Sequence, residues 1–232
     1  MTTPLKICGL TRPEDVRFAV DLNIQALGFV FYPASPRYVE PAQARALMQL
    51  VPPTIATVGL FVNASPEQMQ AVLAIAPVDM LQLHGDESPG QTREIAELTK
   101  RPFMKALRIK PDMNAADLVQ YESSFRASSS WFRAVLLDTY VDSFGGSGKV
   151  FDWSVIPKEL APRVVLSGGL TAHNVAGAVE RLRPGAVDVS SGVEQAKGIK
   201  DPAKMQAFVD ALRLADSTLT GPDHVSRFQF KT

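Results

Sequence analysis

The most restrictive feature of this chain is a unit that recurs along it: a short β-rich run, a turn signal, then a segment with the hydrophobic period of a helix. The runs are Leu5–Cys8, Ala26–Phe31, Ile55–Val62, Met80–His84, Phe103–Ile109, Arg133–Asp138, Arg163–Ser167 and Ala186–Ser190, eight in number. A helix between two strands returns the chain to the edge where the first strand began. Consecutive strands therefore lie parallel, in a sheet covered by its own helices.

Eight equal units in 232 residues fit a closed α/β barrel of the (β/α)8 TIM type. The rival is an open doubly wound sheet, which rarely uses eight equal units, and the closed barrel is the expected fold. No Pro/Gly/Ser-rich linker divides the chain, so a single domain over residues 1–215 is expected. The helical period fades after Ala215, and residues 216–232 are expected to form a C-terminal surface extension.

Several helix starts are legible. Thr11 with Glu14, Ser65 with Gln68 and Ser88 with Gln91 have capping-box spacing. Pro66, Pro89 and Pro202 stand where a first helical residue needs no N–H. Val16, Ala19 and Val20, and later Phe208, Val209 and Leu212, recur on one helical face. The fifth helix is predicted over Ala115–Ser123. The sixth strand is followed by a long loop before Trp153, which holds Gly145-Gly146-Ser147-Gly148-Lys149. That cluster reads either as a flap over a substrate or as a plain connection.

Lys plus Arg equals Asp plus Glu at 24 each, so there is no basic footprint for nucleic acid. The apolar stretches are broken by Pro or charge before they reach spanning length, and no membrane partner is expected. The N-terminus enters an apolar run at Leu5, without room for a signal peptide. A single cysteine excludes an internal disulfide and points to a reducing, cytoplasmic setting.

The seventh run ends in Ser167-Gly168-Gly169-Leu170 and the eighth in Ser190-Ser191-Gly192-Val193. Glycines let backbone N–H groups close around an anion, and the loops after strands seven and eight are where barrels commonly hold a phosphate. Either loop alone reads equally well as a tight turn. Two at the two expected positions favour a phosphate site on Gly168, Gly169, Ser190, Ser191 and Gly192.

Residues two apart on a strand share a face, so Lys6 and Cys8 point one way and Leu5 and Ile7 the other. With the apolar pair toward the helices, Cys8 lies at the inner rim, where an ammonium would favour its thiolate as a proton acceptor. A lone buried cysteine is also a small hydrophobe. Asp138 closes the sixth run and is either an acid–base group at the rim or a turn residue. In a barrel, strands six, seven, eight and one are neighbours. Asp138 and Cys8 therefore flank the phosphate loops, an arrangement suited to proton transfer between adjacent carbons of a sugar phosphate.

Arg37 follows the second strand and reads as a carboxylate clamp or a solvated charge. His84 ends the fourth strand beside Gln82, as a substrate contact or a structural hydrogen bond. Asp188 points inward like Ser190 and is a candidate for a sugar hydroxyl. His84, His173 and His224 lie in unrelated elements, and no metal site or dinucleotide fingerprint is expected.

Several of these stretches resemble one family. They are Lys6-Ile7-Cys8-Gly9, Gly28-Phe29-Val30-Phe31-Tyr32-Pro33 with Ser35-Pro36-Arg37-Tyr38, Val58 through Asn63 and Leu81 through Glu87. Leu137-Asp138-Thr139, Gly148 through Trp153 and Asp188 through Glu194 continue the series in order. Together they resemble phosphoribosylanthranilate isomerases of tryptophan biosynthesis, to about Leu212. The departures are Ser147, where Thr is more usual, and Ser167, where Ala is common; neither is expected to touch the chemistry. The resemblance implies an Amadori rearrangement of N-(5-phosphoribosyl)anthranilate without a cofactor. It implies Asp138 as general acid, Cys8 as general base and Arg37 at the anthranilate carboxylate. Rival readings are another phosphate-binding barrel, such as a ribulose-phosphate epimerase or indole-glycerol-phosphate synthase, and a non-catalytic phosphometabolite sensor.

Overall fold

The computed structural model describes residues 3–139, 152–219 and 228–231. Eight parallel strands close on themselves in chain order: β1 (Leu5–Cys8), β2 (Ala26–Val30), β3 (Ala56–Phe61), β4 (Met80–Leu83), β5 (Phe103–Ile109), β6 (Phe132–Thr139), β7 (Val164–Leu166) and β8 (Ala186–Val189). β8 pairs back onto β1, with Lys6 opposite Asp188. This is the closed barrel, not the open sheet. Among the described residues no helix is long and apolar enough to cross a membrane.

Among the described residues seven α-helices surround the strands: α1 (Pro13–Asp21), α2 (Pro41–Met48), α3 (Pro66–Ile75), α4 (Pro89–Thr99), α5 (Ala115–Ser128), α6 (Val175–Leu182) and α7 (Pro202–Thr218). The described segment between β6 and β7 instead forms two short 3-10 turns, Trp153–Val155 and Ala161–Arg163. The Gly145–Lys149 cluster and Ser147 lie outside the described residues. After β8 come a third 3-10 turn (Ser191–Val193) and a hairpin of β9 (Glu194–Ala196) and β10 (Ile199–Lys200).

Ser65 and Ser88 cap α3 and α4 through complete capping boxes, as their spacing predicts, and Asp201 caps α7. Thr11 does not cap α1. Pro13 sets the first helical residue, so Arg12 is the N-cap, and the Thr11 hydroxyl donates to Gly198 O at 2.5 Å. α5 runs five residues beyond the predicted Ser123, to Ser128. The extra turn buries Phe125 against the stacked Phe132 at a centroid separation of 6.2 Å.

Strand alternation divides the core in two. Leu5, Ile7, Leu27, Phe29, Leu81, Leu83, Val187 and Val189 face outward and pack with the helices. Ala26, Ala56, Val58, Met80, Met104, Ala106, Ala134, Leu136, Val165 and Ala186 face inward and fill the barrel. Phe228 and Phe230 join this inner group, with rings 4.8 Å apart edge to face. Lys231 Nζ lies 3.1 Å from Asp79 Oδ1, just ahead of β4. Residues 216–232 are therefore not all a surface extension. α7 continues to Thr218, and the described end of the chain lodges two phenyl rings in the N-terminal mouth of the barrel, where alanines leave room for them.

Candidate active site

The inward side chains at the C-terminal ends of the strands converge on a cleft of about 710 Å³. It is lined by Cys8, Arg37, His84, Asp138, Gly168, Gly169, Asp188, Ser190, Ser191 and Gly192, so every singled-out residue reaches one site.

Cys8 is 4% exposed. Its thiol sits over Gly28, where an added Cβ would come within 2.8 Å of Sγ and 3.0 Å of Lys6 Cε, so β2 must be bare at that point. Lys6 Nζ pairs with Asp188 Oδ1 at 2.8 Å, as their register in the sheet dictates. Burial opposes the Lys6 ammonium, but Asp188 outweighs it and holds the Lys6 pKa above its ordinary value. Burial pushes the Cys8 thiol up; Lys6 counters that shift, and Asp188 adds to it.

Asp138 stands across the loops after β7 and β8 from Cys8. Its Oδ1 accepts the Thr139 N–H at 2.8 Å, and its Oδ2 lies 3.2 Å from His84 Nε2. The Gln82 side-chain amide lies 2.8 Å from His84 Nδ1. With the amide nitrogen donating, Nδ1 accepts and Nε2 carries the proton toward Asp138. Gln82 Oε1 is buried and has no hydrogen-bond partner among the described residues. His84 is thus both a wall of the cleft and a hydrogen-bond partner of Asp138.

Gly168 and Gly169 adopt φ of +82° and +67°, a region that disfavours side chains. A Cβ on Gly168 would also come within 2.5 Å of Thr139 N and 2.7 Å of Asp138 Oδ1. Gly192 abuts the Leu170 carbonyl, so the loops after β7 and β8 touch without an intervening side chain. The Gly169 amide donates to no acceptor among the described residues. Ser190 Oγ donates to Cys8 O at 3.0 Å, tying this cradle to β1. Ser167 Oγ lies 3.2 Å from Asp188 Oδ2 and lines the cleft.

Arg37 is 5% exposed and not a solvated charge. Its Nε and Nη2 each donate to Glu194 at 2.8 Å. Burial works against the guanidinium, but the Glu194 hydrogen bonds more than offset it and raise the Arg37 pKa. Desolvation likewise opposes the Glu194 carboxylate, and Arg37 with Lys200 overcomes it to hold that pKa low. Lys200 Nζ lies 2.9 Å from Glu194 Oε1. Neither the role of Glu194 nor that of Lys200 was evident from sequence. Glu194 stood in the motif without a task, and Lys200 sits in a short hairpin with no pattern around it.

The matching family model is described as N-(5'phosphoribosyl)anthranilate (PRA) isomerase and covers residues 5–211. The chain is 58% identical over 217 residues to the N-(5'-phosphoribosyl)anthranilate isomerase of Herminiimonas arsenicoxydans, spanning 94% of this chain and 96% of that protein. The protein of the same name from Ralstonia nicotianae is 49% identical over 226 residues, 94% of this chain and 95% of its own. The crystal structure of phosphoribosyl anthranilate isomerase from Thermotoga maritima superposes with a TM-score of 0.78 at 39% identity, covering 91% of this chain and 98% of that one. A structure of such an isomerase in complex with reduced 1-(o-carboxyphenylamino)-1-deoxyribulose 5-phosphate superposes with a TM-score of 0.75 at 37% identity, with the same coverage.

Proposed function

Because the chain belongs to the N-(5'-phosphoribosyl)anthranilate isomerase family, we propose how its site residues divide the work of that reaction. The reaction is an aldose–ketose isomerisation in tryptophan biosynthesis, an intramolecular oxidoreduction of N-(5'-phosphoribosyl)anthranilate to 1-(2-carboxyphenylamino)-1-deoxyribulose 5-phosphate. The observation that carries the division is the placement of Cys8 and Asp138 in one cleft, flanking the glycine loops after β7 and β8.

The phosphate sits on the amides of Gly168, Gly169 and the Ser190–Gly192 turn. Asp138 then lies toward the ribose ring oxygen and protonates it, and the furanose opens to a Schiff base. Cys8, from the opposite wall, removes the C2 proton and leaves an enolamine. The 2-hydroxyl of the enolamine then gives up its proton as C1 takes one, which leaves the ketone at C2. Two protons are added and two removed, so the sum of the steps is an isomerisation. The Lys6 ammonium favours the thiolate that this step needs. Asp188 holds Lys6 and faces the sugar hydroxyls, and His84 orients the Asp138 carboxyl. Arg37 receives the anthranilate carboxylate through Nη1 and the outer Nη2 proton, because Glu194 occupies its other edge.

Each step moves only protons, so we propose no cofactor and no metal. We also place the enzyme in the cytoplasm, consistent with its single thiol, and assign it no nucleic-acid partner. The test is a coupled assay with freshly generated phosphoribosylanthranilate. Wild-type turnover should be abolished by Asp138→Asn and by Cys8→Ala; a folded variant of either that turns over normally removes that residue from its role.

A further inference from the structure

Lys200 is completely buried, and the proton transfers above make no use of it. Its backbone is clamped to α1: Lys200 N donates to Asp15 Oδ2 at 3.1 Å, and Arg12 pairs with the same Asp15 at 2.6 Å. From β10 the side chain reaches back under the cleft. Nζ lies 2.6 Å from Cys8 O, 3.2 Å from Ser190 O and 2.9 Å from Glu194 Oε1. These acceptors belong to three parts of the site: the strand that carries the thiol, the loop that holds the anion, and the carboxylate that fixes Arg37.

An ammonium out of water is strongly disfavoured, and a methionine of similar length would fill the same space without that penalty. Burial does lower the Lys200 pKa, with Glu194 opposing. A cation retained in such a place serves something other than packing. We propose that Lys200 is a positioning residue of this isomerase, a buried cation that fixes the Cys8 backbone, the Ser190 loop and, through Glu194, the Arg37 guanidinium in one frame. The proposal rests on the reading that these three elements form the substrate site.

The frame also carries charge. Lys200 and Arg37 are positive and Glu194 negative, so the group as a whole is positive beside the thiol. The charged groups that face Cys8 are Lys6, Asp188, Lys200 and Arg37. Lys200→Met removes a positive charge from this set, and Glu194→Gln removes the negative charge that is paired with two of its members, Lys200 and Arg37. The two variants should therefore move the Cys8 thiol in opposite directions, whereas loose packing would not.

The experiment follows alkylation of Cys8 by iodoacetamide against pH in the full chain, with inorganic phosphate as the protecting probe. Lys200→Met should move the alkylation midpoint up by about one pH unit, and Glu194→Gln should move it down by about half a unit. Half-protection by phosphate should need on the order of tenfold more phosphate in Lys200→Met, because Ser190 loses its anchor, and KM should rise more than kcat falls. A folded Lys200→Met with an unmoved midpoint and unchanged phosphate protection would overturn the proposal. If that variant does not fold, an unmoved or upward shift in Glu194→Gln overturns it instead. The alkylation midpoint and the phosphate protection require no turnover, so failure here is separable from failure of the assigned reaction, which wild-type turnover decides.

Discussion

At the C-terminal mouth of the barrel the inward positions are Cys8, His84, Asp138, Ser167 and Ser190; at the N-terminal mouth they are Ala26, Ala56, Ala134 and Ala186 with Met80 and Met104. β4, β6 and β8, with the residues that directly follow them, supply members of both sets. One mouth is polar, concave and open to a ligand. The other is made of small apolar groups, and the chain's own Phe228 and Phe230 fill the space they leave. Between them lies the buried Lys6–Asp188 pair, which belongs to the upper mouth by its chemistry and to the barrel interior by its place. Substitution at one mouth should thus change turnover and leave stability alone, and at the other the reverse.

The largest expected effect breaks this division at the top. Cys8→Ala and Asp138→Asn should each lower kcat by about 10²–10⁴-fold or more, the usual worth of a positioned proton donor or acceptor. Thermal midpoints should stay within a few degrees of wild type. The double variant should be little worse than either single one, because each already disables the same reaction. Since burial raises the Cys8 pKa, thiol alkylation in the wild type should climb with pH and pass its midpoint above the ordinary thiol value of 9.0. A midpoint at or below that value would mean that Lys6 outweighs burial in solution.

The next effect is at the bottom. Phe230 is 2% exposed, and removing such a ring from a packed core costs about 3–5 kcal/mol. At roughly 2–4 °C per kcal/mol for a chain of this size, Phe230→Ala should lower Tm by about 10 °C. Its kcat/KM at 25 °C should match the wild type, and Phe228→Ala should behave in the same way. A loss of activity without a loss of Tm would mean that the two mouths communicate through the interior.

A smaller change sharpens the comparison within the upper mouth. Gly169→Val places a β-branched residue at a φ of +67° in the phosphate cradle. A phosphate bound there, as proposed, is held alike in the ground and transition states, so KM should rise about tenfold while kcat changes much less. A fall in kcat with unchanged KM would show that this loop positions the reacting carbons rather than the anion.

How much of this was legible in the sequence differs between the mouths as well. Strand alternation and helix punctuation are local signals, and they located all eight strands and the inward Cys8, Asp138 and Asp188. The Gly168-Gly169 pair after β7 and Gly192 after β8 marked the two loops that line the cleft. Contacts made across long separations left no such trace. Lys200 reaches Cys8 across 192 positions, and Glu194 reaches Arg37 across 157. The tail looked like an extension because its helical period ends at α7; Phe228 and Phe230, two apart, share a face as in a strand, but so short a run does not tell what that face meets. Only the alanine-lined space at the other end of the barrel makes sense of them.

The smallest expected effect concerns the last ordered contact of that tail. Lys231 Nζ lies 3.1 Å from Asp79 Oδ1, with side chains 38% and 29% exposed. Asp79 Oδ2 already accepts from Thr57 N and Thr57 Oγ1 at 2.8 and 3.0 Å, so the carboxylate keeps hydrogen-bond partners when the lysine is removed. A pair this exposed contributes about 0–1 kcal/mol and is screened by salt. Lys231→Ala should therefore lower Tm by no more than roughly 4 °C, less at 1 M salt than at low salt, and leave kcat/KM unchanged. The two phenyl rings should hold the end of the chain in place without it. If Lys231→Ala costs as much as Phe230→Ala, the N-terminal mouth is closed by its ion pair, and the apolar account of that end of the barrel fails.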